Sequence, residues 1–138
     1  PWYNRPWQHV LEPLSGYLVL AKKLYKDPNK YSSSWNFGSE KNTVTSVYEV
    51  VKKITDIWGS GEIKVKKNFK FYEQKNLQLN IQKAKKILKW APFYSINQSV
   101  KATVDWYREV YLGKISPREA TINQITKYYR DVKKSKKN

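Results

Sequence analysis

The sequence contains no cysteine and no methionine, and it has only one histidine among its 138 residues. The absence of cysteine excludes disulfides and thiolate metal sites. The single histidine, His9, excludes metal motifs that need a pair of imidazoles. No apolar run approaches the roughly 18 residues of a membrane-spanning helix, and no basic-then-apolar leader opens the chain. These absences predict a soluble, cytoplasmic protein without a metal site.

Acidic residues are also scarce, because 27 lysines and arginines face only 11 aspartates and glutamates, which gives a net charge of +16. A field of that sign attracts anionic ligands and polyanions. The basic residues are scattered along the chain, as on an ordinary solvated surface. Trp and Tyr are interleaved with them, so a basic helical domain that binds nucleic acid is an alternative. No helix has an unbroken basic face, and this disfavours nucleic acid as the partner.

Apolar residues recur at three- and four-residue steps in five segments, which predicts helices over about residues 12–25, 47–58, 81–88, 96–111 and 117–132. Capping signals mark several of their ends, namely Ser46 with Glu49, Ser95 with Gln98, Asn80, Pro117, Gly59 and Gly113. The first helix is expected to carry an apolar stripe formed by Val10, Leu14, Tyr17, Leu18, Ala21 and Leu24. The fourth is expected to bury Ile96, Val100, Val104 and Tyr107.

Strand signals are few and short. Aromatic or alternating segments predict brief strands at residues 35–38, 63–66 and 77–79, and residues 1–8 are expected to be extended. Such strands are too few and too short to make a sheet of their own. The pattern predicts one mostly helical domain over residues 1–132, followed by a basic disordered tail at residues 133–138.

The segment Arg5-Pro6-Trp7-Gln8-His9 opens a run to Leu18 that resembles the signature segment of the CDP-glucose 4,6-dehydratases. These enzymes form a branch of the extended short-chain dehydrogenase/reductase superfamily. Four further motifs follow in the family's order, at residues 35–38, 77–92, 103–107 and 121–125. The chain departs from the family pattern at three places: Asn80 replaces an Asp, Lys89 replaces a Gly, and Glu73 lacks the preceding Pro-His.

The resemblance implies an α/β fold of which this chain is the carboxy-terminal part, with an incomplete Rossmann sheet. The family converts CDP-glucose to CDP-4-keto-6-deoxyglucose with bound NAD. Its Gly-x-x-Gly-x-x-Gly and Tyr-x3-Lys motifs lie upstream of everything present here, so we expect no cofactor site, no catalytic residue and no activity in the chain alone. The start at Pro1, without Met, is also typical of a fragment.

The missing part bears on the expected partners. In an isolated fragment we expect the apolar stripe of the first helix to be exposed and the strand at residues 35–38 to be unpaired. The chain is therefore expected to form a homo-oligomer or to associate with an amino-terminal half. A truncated remnant with only an assembly role is a further alternative.

Five residues are the candidates for binding a CDP-sugar. Arg5 suits the pyrophosphate, because its planar, always-charged donor fork matches phosphate oxygens. Trp7 is expected to stack on a base or to pack in the core, and His9 to bind a sugar or phosphate oxygen or to cap the helix. Asn36 is expected to contact the nucleotide or to satisfy a turn. Glu73 is a candidate on the resemblance alone.

Overall fold

The structure is a computed structural model, and it describes residues 3–40, 44–66 and 78–135. Within these ranges the chain is mostly helical, with one small antiparallel sheet. The elements, in chain order, are β1 (Asn4–Pro6), α1 (Leu11–Lys26), α2 (Pro28–Tyr31), β2 (Val44–Ser46), α3 (Val47–Trp58), a π-helical turn (Ala84–Leu88), α4 (Ile96–Tyr111) and α5 (Pro117–Ser135). No helix in the described ranges is both long and apolar enough to cross a bilayer.

Both predicted capping boxes are confirmed at the starts of α3 and α4. In the first, the Ser46 hydroxyl accepts from Glu49 N at 3.2 Å, while the Glu49 carboxylate accepts from Ser46 N at 2.9 Å. These bonds satisfy amide donors that the helix itself leaves without a partner. Gly59 ends α3 in the left-handed conformation, and Pro117 opens α5 as predicted. Helix α5 then continues to Ser135, into the segment predicted as a tail.

The predicted strand at residues 63–66 is wrong, since that segment forms no ladder. Residues 35–38 are also unpaired among the described residues, as expected for this segment in an isolated fragment. Residues 78–79 are not a strand either, and residue 77 lies outside the described residues. The ladder that the structure does contain pairs β1 with β2, with Arg5 opposite Thr45. A strand is stable only when a second edge completes its hydrogen bonds, and the segment at residues 35–38 has no such neighbour among the described residues.

The predicted helix at residues 81–88 is confirmed within one residue, since residues 82–83 are α-helical and continue into the π-helical turn Ala84–Leu88. Asn80 caps the start of this helix, since its side-chain oxygen accepts a hydrogen bond from Gln82 N at 2.9 Å. The turn ends at Lys89, whose φ of 56° lies in the left-handed region that favours glycine. A lysine there costs about 1 kcal/mol relative to glycine.

Two apolar clusters form the core of the described part. The first joins α1 to the π-helical turn and contains Tyr31, Phe37, Ala84, Leu88 and Trp90, with Val19, Leu20, Leu24 and Trp35 against them. The second joins α3 to α4 and contains Val50, Val100 and Val104, with Trp7, Ile57, Trp58 and Ile96 against them. The prediction that Tyr107 is buried is wrong, because its side chain lies on the outer side of α4 and is 60% exposed.

Helix α1 carries both packed and exposed apolar residues. Val19, Leu20 and Leu24 pack against the first cluster, so Leu24 lies in the core although it was predicted in the stripe. Val10, Leu14, Tyr17 and Leu18 are 45–73% exposed, although the Tyr17 ring also meets the Phe37 ring edge-on at 5.3 Å. The expectation that this stripe is exposed is confirmed for these four residues.

Candidate functional site

Arg5 is held in a fixed setting on the small sheet. It lies in the middle of β1, opposite Thr45, and its side chain is half-buried. Its Nη1 donates to the Asn4 carbonyl at 3.0 Å, and the guanidinium lies 5.8 Å from the centre of the Tyr3 ring. A guanidinium positioned by a strand and an aromatic ring presents its planar donor fork in a limited set of directions, which suits a phosphate group.

Trp7 anchors the strand that carries Arg5. Its indole N–H donates to the Thr45 carbonyl at 3.1 Å, and its ring packs against the cluster of Val50, Val100 and Val104. The side chain therefore joins the sheet to α3 and α4, as expected of a tryptophan that buries its ring and satisfies its one donor. A base-stacking role for Trp7 remains a prediction.

His9 is buried at the start of α1, where it is 4% exposed. Its Nδ1 accepts from Leu11 N at 3.3 Å, so it caps the helix, which has no side-chain cap from Val10. Burial lowers the pKa of His9 below its ordinary 6.5, and a hydrogen bond with Gln124 opposes this shift only in part. The neutral imidazole is thus the form that the fold favours. A contact between His9 and a sugar or phosphate remains a prediction.

This shift predicts a pH dependence of stability. Because the folded chain binds a proton at His9 less readily than the unfolded chain does, the free energy of unfolding should fall as the pH drops below about 6.5. Urea titrations at pH 7.5 and 5.5 measure this loss. His9→Asn keeps an acceptor for Leu11 N and should remove the dependence.

The pH range of this test matters, because the Glu49 carboxylate also affects stability, but only at lower pH. Hydrogen bonds from Thr45 and from Ser46 lower the pKa of Glu49 from 4.5 to about 2, so its own contribution is lost only as the pH falls below about 4.5. An unfolding free energy that is equal at pH 7.5 and 5.5 in the unmodified chain would contradict the assignment to His9.

Asn36 lies in the segment after α2, and its exposed side chain donates to the Asn80 carbonyl at 3.2 Å. This bond ties residues 32–40 to the residues before the π-helical turn, which agrees with the structural alternative for Asn36. The described structure does not link the Asn36 and Arg5 side chains directly. A nucleotide contact for Asn36 remains a prediction, and Glu73 lies outside the described residues.

Gln8 brings the Arg5 segment and the Asn36 segment together, and sequence reasoning did not select it. Its side-chain N–H donates to the Phe37 carbonyl at 3.3 Å, while its own oxygen is buried without a hydrogen-bond partner. The Ser39 hydroxyl, two residues after Phe37, is also buried and without a partner. Because buried polar atoms are nearly always paired, two such atoms at one junction indicate a place where a polar ligand or water completes the bonds.

A buried carboxylate fixes the helix behind this junction. Glu12 is fully buried, and its two oxygens accept from Phe93 N at 2.9 Å, Tyr94 N at 2.7 Å and the Tyr128 hydroxyl at 2.8 Å. Burial raises the pKa of Tyr128, so its hydroxyl remains a donor. We call these groups the Glu12 network. It joins three parts of the chain: helix α1, residues 93–94 before α4, and helix α5. Helix α1 and the residues that lead into it therefore have a rigid support.

The chain is 36% identical over 115 residues to a protein of Salmonella typhimurium named CDP-glucose 4,6-dehydratase. The aligned region is 83% of this chain and 32% of that protein. The chain is homologous to part of a CDP-glucose 4,6-dehydratase. It therefore spans about a third of the length of the relative that it matches. No family model matches the chain.

The described residues do not fit the cofactor of a 4,6-dehydratase. A dinucleotide needs a strand that leads through a glycine-rich turn into the start of a helix. Each of the five glycines has another role here. Gly16 and Gly38 pack closely against side chains, and the other three have positive φ in loops: Gly59, Gly61 and Gly113. No strand in the described ranges continues through such a turn, so the described residues form no dinucleotide cradle of this kind.

Proposed function

We propose that this chain is the nucleotide-sugar-binding part of a CDP-glucose 4,6-dehydratase, within the extended short-chain dehydrogenase/reductase superfamily. The complete enzyme would convert CDP-glucose to CDP-4-keto-6-deoxyglucose with NAD in the cytoplasm. The observation that carries the proposal is the 36% identity over 115 residues. Cofactor binding and proton transfer would belong to an amino-terminal part with which this chain associates, so the chain alone would be inactive.

Arg5 is the residue that we assign to the pyrophosphate. A CDP-sugar carries about two negative charges, and two N–H groups of one guanidinium match two phosphate oxygens. The contacts of Arg5 with Asn4 and Tyr3 orient this fork before the ligand arrives. A preoriented donor loses less conformational entropy on binding, which favours Arg5 over the many flexible lysines of the surface.

Gln8 and Ser39 are the residues that we add to the family's motif as ligand contacts. The Gln8 side-chain oxygen would accept a hydrogen bond from a hydroxyl or amino group of the ligand, and the Ser39 hydroxyl would donate or accept one. Both atoms are buried without a partner in the described structure, and the Gln8–Phe37 bond places both segments at one junction. Satisfying such atoms is worth about 1–3 kcal/mol each.

The proposal predicts saturable binding of CDP to the complete 138-residue chain at moderate salt. Arg5→Ala should weaken the affinity at least tenfold, because charge-assisted hydrogen bonds contribute about 1.5–3 kcal/mol. Isothermal titration calorimetry measures the dissociation constants of the unmodified chain and of Arg5→Ala. The dissociation constant of Arg5→Lys should lie between these two values, since an ammonium group keeps the charge but lacks the planar pair of donors.

Arg118→Ala is the matched control, because Arg118 is exposed on the first turn of α5 and the proposal gives it no role. The affinity of the Arg118→Ala variant for CDP should stay within about twofold of the affinity of the unmodified chain. Absence of saturable CDP binding, or equal affinities for the Arg5→Ala and Arg118→Ala variants, would contradict the proposal. Salt-dependent binding to any duplex DNA, without CDP binding, would favour the nucleic-acid alternative.

A further inference from the structure

Three lysine ammonium groups converge on one pair of aromatic rings beside α1. The Lys23 and Lys30 nitrogens lie 5.6 and 5.7 Å from the centre of the Tyr31 ring, and the Lys83 nitrogen lies 4.4 Å from the centre of the Trp35 ring. The centres of the two rings are 6.5 Å apart. We call Lys23, Lys30 and Lys83 the lysine cluster. Its members belong to α1, to α2 and to the residues before the π-helical turn, so the fold gathers charges that are scattered in the sequence.

The contacts of the cluster hold its charges in place. The Trp35 indole N–H donates to the Tyr31 carbonyl at 2.9 Å, which fixes the two rings relative to each other. The Lys83 ammonium donates to the Ser33 hydroxyl at 2.9 Å and to the Ser34 carbonyl at 2.8 Å. An ammonium has three N–H donors, so a third remains at Lys83 for a ligand. Contact with a ring attracts each ammonium without neutralising its charge.

The described residues supply little negative charge against the cluster. None of its three members forms a salt bridge within the described ranges, whereas five other lysines do: Lys52, Lys64, Lys85, Lys101 and Lys127. Residues 13–39 contain four lysines and one acid, Asp27, whose side chain accepts from Lys30 N at 3.1 Å. Residues 78–100 contain four lysines and no acid. The local field is therefore strongly positive and attracts anions.

A small cavity adjoins the cluster on α1. Its volume is about 290 Å³, and the described residues that line it are Val19, Lys22, Lys23 and Lys26, which recur along one face of the helix. Lys23 belongs to both the cavity and the cluster, and the exposed Lys22 and Lys26 add two charges beside it. The volume lies at the lower end of the range for ligand sites, which suits a small anion.

We propose that the lysine cluster binds a small anion that carries two or more linked phosphate groups. The Lys23 and Lys30 nitrogens are separated by no more than the sum of their distances to the Tyr31 ring centre, which linked phosphates can span with charge-assisted hydrogen bonds. A single phosphate reaches fewer of the three ammonium groups, so affinity should rise with the number of phosphates. The cluster shares no residue with the proposed CDP pocket, so the inference does not depend on the proposed function.

A small anion fits the cluster better than a nucleic acid does. Binding to a duplex without regard to sequence commonly uses about 6–10 phosphate contacts along an extended surface, whereas this cluster has three ammonium groups around two rings. The rings are also poorly placed to stack on bases, because Tyr31 is only 8% exposed and Trp35 packs against the first apolar cluster. The rings therefore position the lysines, and the lysines contact the ligand.

Isothermal titration calorimetry of the complete chain with tripolyphosphate tests the proposal. We expect one saturable site at moderate salt, with inorganic phosphate at least tenfold weaker. Lys23→Gln and Lys30→Gln should each weaken tripolyphosphate binding at least fivefold, and the double variant should lose saturable binding. Lys114→Gln is the matched control, because Lys114 is exposed, forms no salt bridge within the described ranges and carries the same unit charge. The affinity of this control should stay within about twofold of the affinity of the unmodified chain.

Circular dichroism melting checks that each variant keeps its fold, and Lys30→Arg, which retains the charge, should bind within about threefold of the unmodified chain. Equal losses in the cluster and control variants, or heats that do not saturate, would overturn the inference. Loss of tripolyphosphate binding in Arg5→Ala would also overturn it, because the anion would then lie in the CDP pocket. So would duplex DNA binding that the cluster substitutions weaken, without tripolyphosphate binding. Saturable tripolyphosphate binding in a chain that fails to bind CDP would refute the proposed function and support the lysine cluster.

Discussion

Replacing Glu12 with alanine should lower the free energy of unfolding by about 3–5 kcal/mol, the largest effect that we expect from any single substitution in this chain. The carboxylate is fully buried and accepts from two backbone amides and the Tyr128 hydroxyl. Its removal leaves the two backbone amides with no acceptor, leaves the Tyr128 hydroxyl with only its longer bond to the Ser15 hydroxyl at 3.3 Å, and creates a cavity. Urea unfolding followed by circular dichroism measures the change.

Two further variants separate the carboxylate's role from a general effect of losing charge. Glu109→Ala removes an exposed glutamate from α4 and should change the unfolding free energy by less than about 0.5 kcal/mol. Glu12→Gln keeps one acceptor oxygen but turns an N–H group towards the other donors, so it should fall between the two alanine variants. A loss below about 1 kcal/mol for Glu12→Ala would show that the Glu12 network does not hold α1 to α5.

Gly16→Val should lower the free energy of unfolding by about 3 kcal/mol, towards the upper end of the usual cost of overpacking. Gly16 is buried on α1, and a Cβ at this position would lie 2.2 Å from Cδ1 of the Phe37 ring. The ring cannot move away easily, because it packs edge-on against Trp90 at 5.0 Å between centroids. The clash therefore outweighs the gain in helix propensity of valine over glycine, which is below about 1 kcal/mol.

Ala21→Val is the control for this second prediction, since it places the same valine side chain on the exposed side of the same helix. It should cost less than about 1 kcal/mol. If Phe37 is the obstacle, Gly16→Val combined with Phe37→Ala should be less destabilising than the sum of the two single changes. Equal losses for Gly16→Val and Ala21→Val, measured by urea unfolding, would contradict the close approach of Phe37 to α1.

Local signals predicted the parts of the fold that local chemistry determines. The Ser46–Glu49 and Ser95–Gln98 boxes fixed the starts of α3 and α4 within a residue, because each box satisfies amides that the helix itself leaves unpaired. Pro117 fixed the start of α5 for the same kind of reason, since its missing N–H costs nothing in the first turn.

Features that depend on distant partners were missed or wrong. The segment at residues 63–66 alternates as a strand does, but alternation does not supply the neighbouring edge that a strand needs. The pairing of β1 with β2 joins residues about 40 positions apart, and three-residue strands show no alternation. Tyr107 fits the apolar spacing of α4 but is 60% exposed, because periodicity predicts a helix face without showing what covers it.

In the candidate site, too, the sequence predicted the residues of the local motif but not the contacts that depend on distant residues. Arg5 and His9 were selected from the motif, and the capping role of His9 was one of its two predicted alternatives. Gln8 belongs to the same motif but was passed over, because nothing in the sequence shows that its oxygen would be buried without a partner. Its only sequence signal was its position between Trp7 and His9 in the most specific part of the resemblance.

The most direct test of the central claim is the nuclear magnetic resonance signal of the arginine Nε–H groups during a titration with CDP. Specific binding predicts that the Arg5 signal shifts and saturates, that the backbone amides near Gln8 and Ser39 shift with the same midpoint, and that the Arg118 signal stays in place. Small unsaturated shifts spread over many lysines and arginines, with Arg5 no different from Arg118, would mean that this chain attracts anions only through its net charge.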